Sequence, residues 1–541
     1  MRLKPISFES QKNLIRDYRN RDQNALQFFS YDPFDEKVYE KRLKDLSSID
    51  YQRKELSDVL KERNKKWGAP ERTISNIERL KDEKSVVVVG GQQAGLLTGP
   101  LYSIHKMISI IKLAEEQEQA LSVPVIPMFW IAGEDHDYEE INHVFLPRAE
   151  RMKKFRTLQQ QKKKSSVSHM TLDQELTHQW LDNLFKHMDE TTYTKELYKN
   201  IKCIVDKSES FVDFFAQVTF YLFQHEGLVL LDSGDTKIRA LENNYFQSLI
   251  HHQPEITKGV AEALHHTSQA GYSIGVDADK SDAHLFYHEN GERILLTIDE
   301  DGHWVGKNND CSFTKEEMLD IAYHSPHLLS NNVVTRPMMQ ELLLPVLAFI
   351  GGGGEVSYWS LLKSGFEALQ LKVPPVLPRL SFTLVDSKRE KNLRSLSLSV
   401  DQVVQKGVDV ERIAWLKRQT NAPVEEVGDQ VKLTIEKVHQ PLREIAKEIG
   451  DDLGQLADKN LSYLIREVDY LEQRIEYSLK LKHHQILQLF DDLELVLHPE
   501  GGLQERIWNV VYWLNQYGDD WIHELIDKQM SWSKDHYAVY L

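Results

Sequence analysis

A run of ionisable residues, GEDHD at positions 133–137, is the part of the sequence best suited to chemistry. It directly follows the apolar run Val123–Ala132, which we predict to be a buried strand. Three carboxylates around one imidazole suit either proton transfer by an oriented histidine or the binding of a metal ion. A zinc ion would need a further ligand from elsewhere, and the sequence identifies none. We predict catalytic roles for the four ionisable residues of this run: Glu134, Asp135, His136 and Asp137.

A glycine-rich stretch, GGQQAGLLTGP at positions 90–100, lies between a predicted strand and a predicted helix. Glycines let the backbone approach a ligand closely, and a helix N-terminus offers free N–H groups to an anion. No Gly-Lys-Ser/Thr follows, so this is not the loop of P-loop NTPases, and it does not match G-x-G-x-x-G. The substrate-binding candidates of this region are Gln92, Gln93, Gly95, Gly99 and Lys106, and His105 is a further catalytic candidate.

A third candidate begins with RPMMQE at positions 336–341 and continues, after the apolar strand Val346–Ile350, as GGGGEVSYW. Four consecutive glycines cost conformational entropy unless the loop must fit something closely. Arg336 could bind a carboxylate or a phosphate through two parallel hydrogen bonds. The substrate-binding candidates here are Arg336, Gln340, Gly352, Gly354, Glu355 and Tyr358.

The elements that must position these residues have a strand–loop–helix–strand order. Val86–Val89 is apolar without alternation, as expected of a strand buried on both faces. The following helix carries an apolar stripe at Leu101, Ile104, Ile108 and Ile111. Further apolar runs occur at residues 227–232, 294–299, 346–350 and 380–386. This order predicts an α/β fold with a Rossmann-like parallel sheet, in which ligands bind at the carboxyl ends of the strands.

The chain of 541 residues is long enough for several domains. We predict a catalytic core at residues 1–386, with helix in the first 84 residues and a polar helical insertion at about 151–210. From Leu442 to Ile475 the apolar residues fall three and four apart, which predicts a coiled coil within 387–500. Residues 387–432 can supply only a short partner helix, so we predict a homodimer through this coiled coil. We expect the aromatic-rich segment 501–541 to pack back on the core, and no strand after Asp386.

Composition limits the partners and the compartment. The chain has 66 Lys and Arg against 83 Asp and Glu, a net charge of −17, which opposes binding to nucleic acid or to anionic membranes. It contains no membrane-span candidate and no signal-peptide pattern. Cys203 and Cys311 lie far apart without a motif, which is typical of a reducing compartment. We therefore predict a cytoplasmic protein.

Three segments of the sequence together resemble the bacillithiol biosynthesis cysteine-adding enzymes: GGQQAGLLTGPLYSIHK, PMFWIAGEDHDYEEINHV and RPMMQELLLPVLAFIGGGGEVSYW. With the predicted coiled coil behind them, the resemblance covers essentially the whole chain. It implies a nucleotidyltransferase-like core related to class I aminoacyl-tRNA synthetases, with connecting-peptide insertions and a dimer-forming helical coiled coil. This chain has Gly353 where the family's pattern has proline.

The resemblance also implies a reaction: joining the cysteine carboxyl to the amine of glucosaminyl-malate, the last step of bacillithiol synthesis. Amide formation from a free carboxylate needs activation, for which we expect ATP with Mg²⁺, through either an adenylate or an acyl-phosphate. His136 or His105 would accept the proton of the attacking ammonium, and Glu134, Asp135 or Asp137 would orient the imidazole or bind Mg²⁺. The family's nucleotide pocket near the coiled-coil base makes Ser387, Lys388 and Arg506 candidates for nucleotide contact.

Two other functions stay open at this point. One is a metal-dependent hydrolase that uses the cluster Glu134-Asp135-His136-Asp137. The other is a coiled-coil scaffold whose Rossmann core only binds a nucleotide. A transfer-RNA synthetase is disfavoured, because H-I-G-H and K-M-S-K-S are both missing and the net charge opposes polyanion binding.

Overall fold

The computed structural model describes residues 1–8, 13–148, 150–161, 163–276, 279–308, 310–421 and 423–541. The chain forms two compact units. The first comprises Met1–Arg148, Met152–Leu384 and Gln504–Leu541, and the second consists mainly of Val385–Leu503. Among the described residues, no helix combines the length and the apolar character that a membrane crossing requires.

A parallel sheet of five strands forms the centre of the first unit. Its strands lie in the order Val229–Asp232, Val125–Ile131, Val86–Gln92, Val346–Gly351 and Val376–Pro378. Numbered along the chain, this is the order 3-2-1-4-5 of a doubly wound Rossmann sheet. All but one residue of the first four strands is buried, as their unbroken apolar runs predict. The predicted α/β Rossmann-like core is confirmed.

The helices of the first unit precede, connect and follow these strands. They are Leu14–Arg19, Gln23–Leu26, Val38–Leu46, Arg53–Lys66, Glu71–Arg79, Tyr102–Leu121, Tyr138–Ile141, Gln174–Phe185, Thr194–Lys207, Phe211–Leu222, Thr236–Leu241, Asn243–His251, Gln253–Gln269, Lys315–His324, Thr335–Leu343, Gly353–Trp359, Lys363–Ala368, Val510–Tyr517 and Asp520–Asp527. Short 3-10 turns lie at Leu96–Thr98, Val167–His169, Pro326–Leu328 and Gln504–Arg506.

The helix after the glycine-rich loop, Tyr102–Leu121, is buried around its whole circumference from Ser103 to Ala114. The predicted stripe on one face is therefore too narrow. The first two parallel strands contact this helix, and so does the helix Asp520–Asp527 from the end of the chain. Because the helix is covered by the sheet and by the C-terminal segment, residues outside the stripe are also removed from water.

An antiparallel sheet is inserted between the third and fourth parallel strands. Its strands lie in the order Ser312–Phe313, Trp304–Gly306, Glu292–Ile298, Asp282–Glu289 and Leu329–Asn331. The apolar run at 294–299 belongs to this sheet. The segment predicted as a helical insertion at 151–210 starts instead with the strand Arg151–Arg156, which pairs with His143–Arg148. The helices Gln174–Phe185 and Thr194–Lys207 follow it.

A third sheet joins the two ends of the chain. Arg2–Ile6 pairs antiparallel with His536–Tyr540, whose other neighbour is Phe382–Val385. Helix at the very start of the chain and the absence of strands after Asp386 are therefore both wrong predictions. Each terminal strand has only five residues, too few for a local pattern to distinguish it from a helix.

The second unit is helical throughout its described part. Its helices are Ser387–Ser395, Val400–Lys406, Asp409–Lys417, Val424–Ile449, Asp451–Lys482 and His484–Leu497, followed by the 3-10 turn Pro499–Gly501. The predicted coiled-coil stripe from Leu442 to Ile475 is divided between two of these helices at Gly450.

The two long helices, Val424–Ile449 and Asp451–Lys482, pair antiparallel as a hairpin. Lys432 Nζ lies 3.1 Å from Asp469 Oδ1, and His439 Nε2 lies 3.0 Å from Asn460 Oδ1. The described part of residues 387–432 contains three short helices and only the start of a long one, as predicted. The stripe nevertheless finds a partner within the chain, because the break at Gly450 lets its first half pair with its second.

We expect Asp232→Asn to stabilise the protein at alkaline pH. Asp232 is buried at the end of the third parallel strand, and burial raises its pKa to about 6. Because its pKa is higher in the folded protein than in the unfolded chain, Asp232 binds a proton more tightly in the folded state. The resulting stabilisation of the fold is fully present below the unfolded-state pKa and is lost as the pH rises through about 6. The neutral amide avoids this loss, so the variant should gain up to about 3 kcal/mol over the wild type at pH 8 and much less at pH 4.5.

Urea and thermal unfolding at the two pH values measure this difference. Asp527→Asn provides the control for the same replacement at an exposed position of a helix. A gain for Asp232→Asn that is the same at pH 4.5 and pH 8 would contradict the prediction.

Candidate active site

A cavity of about 370 Å³ opens where the strand order of the parallel sheet reverses, between Val86–Gln92 and Val346–Gly351. Its wall consists of Gly91, Gln92, Gln93, Tyr102, Lys106, Ala132, Asp135, Glu140, Val333, Arg336, Gly352, Gly353, Gly354, Glu355, Tyr358, Arg379 and Arg506. A larger cavity of about 1050 Å³ is bordered by the helices Thr194–Lys207 and Phe211–Leu222. We place the candidate site in the smaller cavity, because ligands of doubly wound sheets bind where the strand order reverses.

Two glycines at the end of the first strand have no room for a side chain. A Cβ on Gly91 would lie 2.4 Å from the carbonyl oxygen of Trp130, and one on Gly90 would lie 2.6 Å from that of Ile350. The Lys106 side chain packs against Gly90, and its Nζ donates to the Gly91 carbonyl at 2.6 Å. The two glycines thus bring a lysine amine to the cavity wall.

The Lys106 amine also donates to Glu355 Oε2 at 2.5 Å. The same oxygen accepts the N–H of Gly352 at 2.7 Å, so Glu355 closes the first turn of the helix Gly353–Trp359. Burial lowers the pKa of Lys106, which the charge of Glu355 partly offsets. This ion pair connects the first and third candidate segments of the sequence across the cavity.

The glycine-rich loop has an unusual backbone. Leu97, Thr98 and Gly99 have φ values of 49°, 69° and 71°, in the left-handed region. Asn509 holds this turn from the C-terminal segment, because its Nδ2 donates to the carbonyls of Leu97 at 3.0 Å and Gly99 at 2.6 Å. Gly95 packs against Gly99, and neither lines the cavity. These two predicted substrate-binding glycines shape the turn.

Four cations stand on the cavity wall: Lys106, Arg336, Arg379 and Arg506. Arg336 Nη2 donates to the Tyr358 hydroxyl, and burial raises the pKa of that hydroxyl to about 12. Arg379 is almost fully buried and lies at the end of the fifth parallel strand, whereas Arg506 is exposed. Such a wall suits carboxylate or phosphate groups.

Besides Glu355, which pairs with Lys106, the cavity wall carries two negatively charged side chains, Asp135 and Glu140. Asp135 Oδ2 accepts from Gln93 Nε2 at 2.8 Å, and its Oδ1 accepts from Arg293 Nη1 at 3.2 Å. Glu140 forms no ion pair with any residue that the structure describes. Burial, followed by the charge of Asp137, raises the pKa of Glu140.

The other predicted catalytic residues of the GEDHD run lie off the cavity wall. Glu134 is buried, and its Oε2 accepts from Arg239 Nη2 and from the N–H of Asn331 at 3.1 Å. Asp135, His136 and Asp137 can bring one ligand atom each within 4.8 Å of one another. A hydrolase that needs all the carboxylates of the cluster on one metal ion does not fit this geometry, because Glu134 belongs to a separate ion pair.

His136 is held by an arginine from the inserted sheet. Arg293 Nη1 lies 3.1 Å from His136 Nδ1, and the guanidinium of Arg293 rests on the Phe286 ring, with Cζ 3.7 Å from its centroid. A guanidinium only donates, so Nδ1 is the acceptor and the imidazole proton is on Nε2. Burial, followed by the charge of Arg293, lowers the pKa of His136. His136 is therefore a neutral imidazole that presents an N–H donor.

His105 is fully buried behind the wall, with Nδ1 2.7 Å from Glu505 Oε2. Gln340 is also fully buried and does not line the cavity. Ser387 and Lys388 begin a helix of the second unit, where Lys388 Nζ lies 3.2 Å from Asp492 Oδ1. Arg506, predicted to contact nucleotide, lines the cavity of the first unit.

The structure brings together most of the predicted substrate-binding residues. Those on the cavity wall are Gln92, Gln93, Lys106, Arg336, Gly352, Gly354, Glu355 and Tyr358, together with the predicted catalytic Asp135. Tyr102, Glu140 and Arg379 also line the cavity and were not predicted from the sequence. Arg379 could have been found, because it directly follows the strand Val376–Pro378.

Comparisons with known proteins identify the family of the chain. A family model described as "Bacillithiol biosynthesis BshC, N-terminal Rossmann-like domain" matches residues 1–380, and one described as "Bacillithiol biosynthesis BshC, C-terminal coiled-coil domain" matches residues 382–541. A protein of Oceanobacillus iheyensis named "Putative cysteine ligase BshC" is 41% identical over 545 residues, covering 100% of both chains. Proteins of the same name from Geobacillus sp. (strain WCH70) and Bacillus licheniformis are each 40% identical, again over 100% of both chains.

Among solved structures, a chain described as a putative arginyl tRNA synthetase from Campylobacter jejuni aligns over 89% of this chain and 99% of that chain. Its identity is 10% and its TM-score is 0.20, which is too low to carry a structural argument. The family models and the full-length relatives confirm the resemblance seen in the three sequence segments. The chain belongs to the BshC family of bacillithiol biosynthesis proteins.

Proposed function

We propose that this protein is a cytoplasmic ligase that joins the carboxyl group of cysteine to the amine of glucosaminyl-malate, with ATP as the activating substrate. The observation that carries the proposal is the cavity where the strand order reverses, whose wall carries four cations and three carboxylates, Asp135, Glu140 and Glu355. The relatives named as cysteine ligases support the same assignment. A scaffold would not need this concentration of buried charge at the strand ends.

The charges of the cavity match the substrates of such a reaction. Glucosaminyl-malate carries two carboxylates and an amine, cysteine carries a carboxylate and an amine, and ATP with Mg²⁺ carries the phosphates. Arg336, Arg379 and Arg506 would bind the anionic groups, and Asp135 and Glu140 would bind an ammonium group. Lys106 would contribute its positive charge, since its amine already donates to Gly91, Gln92 and Glu355.

The reaction has two steps. The cysteine carboxylate attacks a phosphorus atom of ATP, which gives an acyl-adenylate and pyrophosphate or an acyl-phosphate and ADP. The sugar amine then attacks the acyl carbon, the amide bond forms, and AMP or phosphate leaves. The attacking nitrogen must lose a proton, so a base at the cavity is needed.

We assign that base to Glu140. It stands on the cavity wall without an ion-pair partner among the described residues, and its side chain is hydrogen-bonded to the neutral amide of Gln93. Asp135 accepts from Gln93 as well, but it is also paired with the charged Arg293. His136 Nδ1 already accepts from Arg293, and His105 is buried away from the cavity. A carboxylate with a raised pKa is a better proton acceptor than an ordinary one.

A homodimer through the helical hairpin is the second part of the proposal. Many apolar residues stay exposed after the two helices pair: Val427, Val431, Val438, Leu442, Ile445, Ile449, Leu453, Leu456, Leu464, Leu471 and Ile475. On the first helix they recur at spacings of three, four and seven residues, which is a coiled-coil pattern. Burial of apolar surface contributes about 25 cal/mol per Å², so leaving this stripe exposed to water would forfeit several kcal/mol. We therefore expect a second copy of the chain to pack against it.

The ligase assignment is tested by incubating the purified protein with ATP, cysteine and glucosaminyl-malate. We expect bacillithiol, with AMP and pyrophosphate for an adenylate route or ADP and phosphate for an acyl-phosphate route. Arg336→Met should lower the rate at least about 100-fold, because it removes a charged hydrogen-bond donor from the cavity. Arg418→Met, on the exposed surface of the second unit, is the control and should be as active as the wild type. Absence of product with all three substrates would refute the assignment.

Replacement of Glu140 by Gln should lower kcat about 100-fold and leave the KM values close to those of the wild type, because the amide cannot accept the proton. In the wild type, kcat falls as the pH drops through the raised pKa of Glu140, and this acid limb should be absent in the variant. Both effects are read from pH–rate profiles.

The neighbouring Glu139 is the matched control for Glu140. It is exposed and pairs with Arg156 at 2.5 Å, so Glu139→Gln should keep the wild-type kcat and its acid limb. A Glu140→Gln enzyme with unchanged kcat would exclude Glu140 as the base.

Glutamates at Leu442, Ile445 and Ile449 should convert the dimer into monomers in sedimentation velocity, because three charges would enter the apolar contact. These side chains are exposed in the single chain, at 61%, 54% and 69%, so the hairpin itself should remain folded. The double change of Val410 and Ile413 to Glu, at 72% and 53% exposure on another helix, is the control. A triple variant that sediments like the wild-type dimer would refute this interface.

A further inference from the structure

We infer that Glu505 and His105 are positioning residues, which hold Arg379 at the cavity with one edge of its guanidinium free for an anionic substrate group. Glu505 lies 126 positions after Arg379, in the 3-10 turn Gln504–Arg506 of the returning C-terminal segment. For the identity of that substrate, the inference rests on the proposed ligase function.

The hydrogen bonds of Arg379 show which N–H groups of its guanidinium are already engaged within the protein. Nη1 donates to Glu505 Oε2 at 2.8 Å and to the Leu380 carbonyl at 3.2 Å, and Nη2 donates to Glu505 Oε1 at 2.6 Å. Both hydrogens of Nη1 and one of Nη2 are therefore engaged. Within the described residues, no hydrogen bond engages Nε–H or the second hydrogen of Nη2.

The two unused donors form the other edge of the planar guanidinium, and this edge has the geometry to bind both oxygens of a carboxylate or a phosphate. It faces the glycine loop, because a Cβ on Gly352 would lie 3.7 Å from Arg379 Nε. Gly352 and Arg379 are both on the cavity wall. The free edge is thus where a substrate anion can reach it.

Glu505 is held from behind by His105. The side chain of Glu505 is 2% exposed and that of His105 is 0% exposed. Burial lowers the pKa of His105, so the ring is neutral and its Nδ1–H donates to Glu505 Oε2. Burial opposes ionisation of Glu505, but Arg379 and His105 hold the pKa of its carboxyl well below the ordinary value. The carboxylate therefore stays charged and accepts from both neighbours.

The helix that carries His105 also contacts the residue after Arg379. Ser109 Oγ donates to the His105 carbonyl at 2.6 Å and accepts the N–H of Leu380 at 3.0 Å. The His105 ring lies edge-on to Phe382, with centroids 4.9 Å apart. Arg379 is consequently fixed at its backbone and at its guanidinium, which limits the rotamers it can adopt.

A second buried pair, Arg42 with Glu341, shows what a purely structural contact looks like in this protein. Both side chains are 1% exposed, and Arg42 Nε donates to the Val346 carbonyl at 2.9 Å. Neither residue lines the cavity. This pair is also a buried arginine–glutamate contact, but it has no access to the cavity, so it serves as the control for loss of a buried pair.

Glu505→Gln tests the inference in the full-length protein. The amide offers one acceptor and turns its NH₂ toward a guanidinium, so Arg379 should leave its position. We expect the KM of one anionic substrate to rise at least about tenfold, with kcat changed less than about threefold. His105→Asn should retain most of the wild-type KM, because its Nδ2–H can replace Nδ1–H, whereas His105→Leu should behave like Glu505→Gln. Glu341→Gln should lower the thermal midpoint without raising any KM.

The substrate whose KM rises identifies the anion: ATP indicates a phosphate, and glucosaminyl-malate or cysteine indicates a carboxylate. Unchanged KM values for all three substrates in Glu505→Gln, or an equal rise in Glu341→Gln, would overturn the inference. If Glu505→Gln fails to fold, Glu505→Asp replaces it, since the shorter side chain keeps the charge but withdraws it from Arg379.

Direct binding separates this inference from the proposed function. Calorimetric titration with ATP, with L-malate and with cysteine needs no turnover, so it remains informative if the wild type forms no product. Loss of about tenfold in affinity for one of these probes in Glu505→Gln, with wild-type affinity in Glu341→Gln, supports the positioning role. Equal affinities of wild type and Glu505→Gln for all three probes would overturn it.

Discussion

The return of Gln504–Leu541 to the Rossmann core is the constraint on which the candidate site depends. Gln504 first hydrogen-bonds the backbone of Leu384, and Glu505 then forms the ion pair with Arg379. Asn509 holds the carbonyls of the glycine-rich loop. The segment ends in the strand His536–Tyr540, which pairs with the first strand of the chain. Because Glu505, Arg506 and Asn509 all belong to this segment, the candidate site is complete only when the segment has packed on the core.

This packing also explains how a strained loop can persist. Leu97 and Thr98 are non-glycine residues with positive φ, a conformation that costs of order 1 kcal/mol or more each. Asn509 donates to the carbonyl of Leu97 itself and to that of Gly99, the residue after Thr98, and each such bond contributes about 1 kcal/mol. A buried side chain from a distant segment therefore offsets the strain of the loop, and the loop alone would not be expected to keep this shape.

Local sequence patterns predicted the parts of the fold and the site that depend on neighbouring residues. The unbroken apolar runs predicted four of the five parallel strands, and the residues after those strands include Gln92, Asp135 and Glu355 on the cavity wall. The hairpin was not predicted because the apolar residues of its two helices follow the same spacing along the sequence. Only Gly450 marks the point where the chain reverses direction. The contact between His105 and Glu505 joins residues 400 positions apart, and no local pattern indicates it.

Most of the predicted catalytic residues are engaged by partners within the protein for one physical reason. A buried carboxylate or guanidinium must be paired, so most charged groups at the strand ends are already satisfied by partners from elsewhere in the unit. Glu134 is engaged by Arg239, and His136 by Arg293. What distinguishes a group available for substrate is a donor that the fold leaves unused on the cavity side, such as the second edge of Arg379, or a charge without an ion-pair partner among the described residues, such as Glu140. Residue type and strand-end position narrow the candidates, but the pairing made by tertiary structure determines which of them can still react.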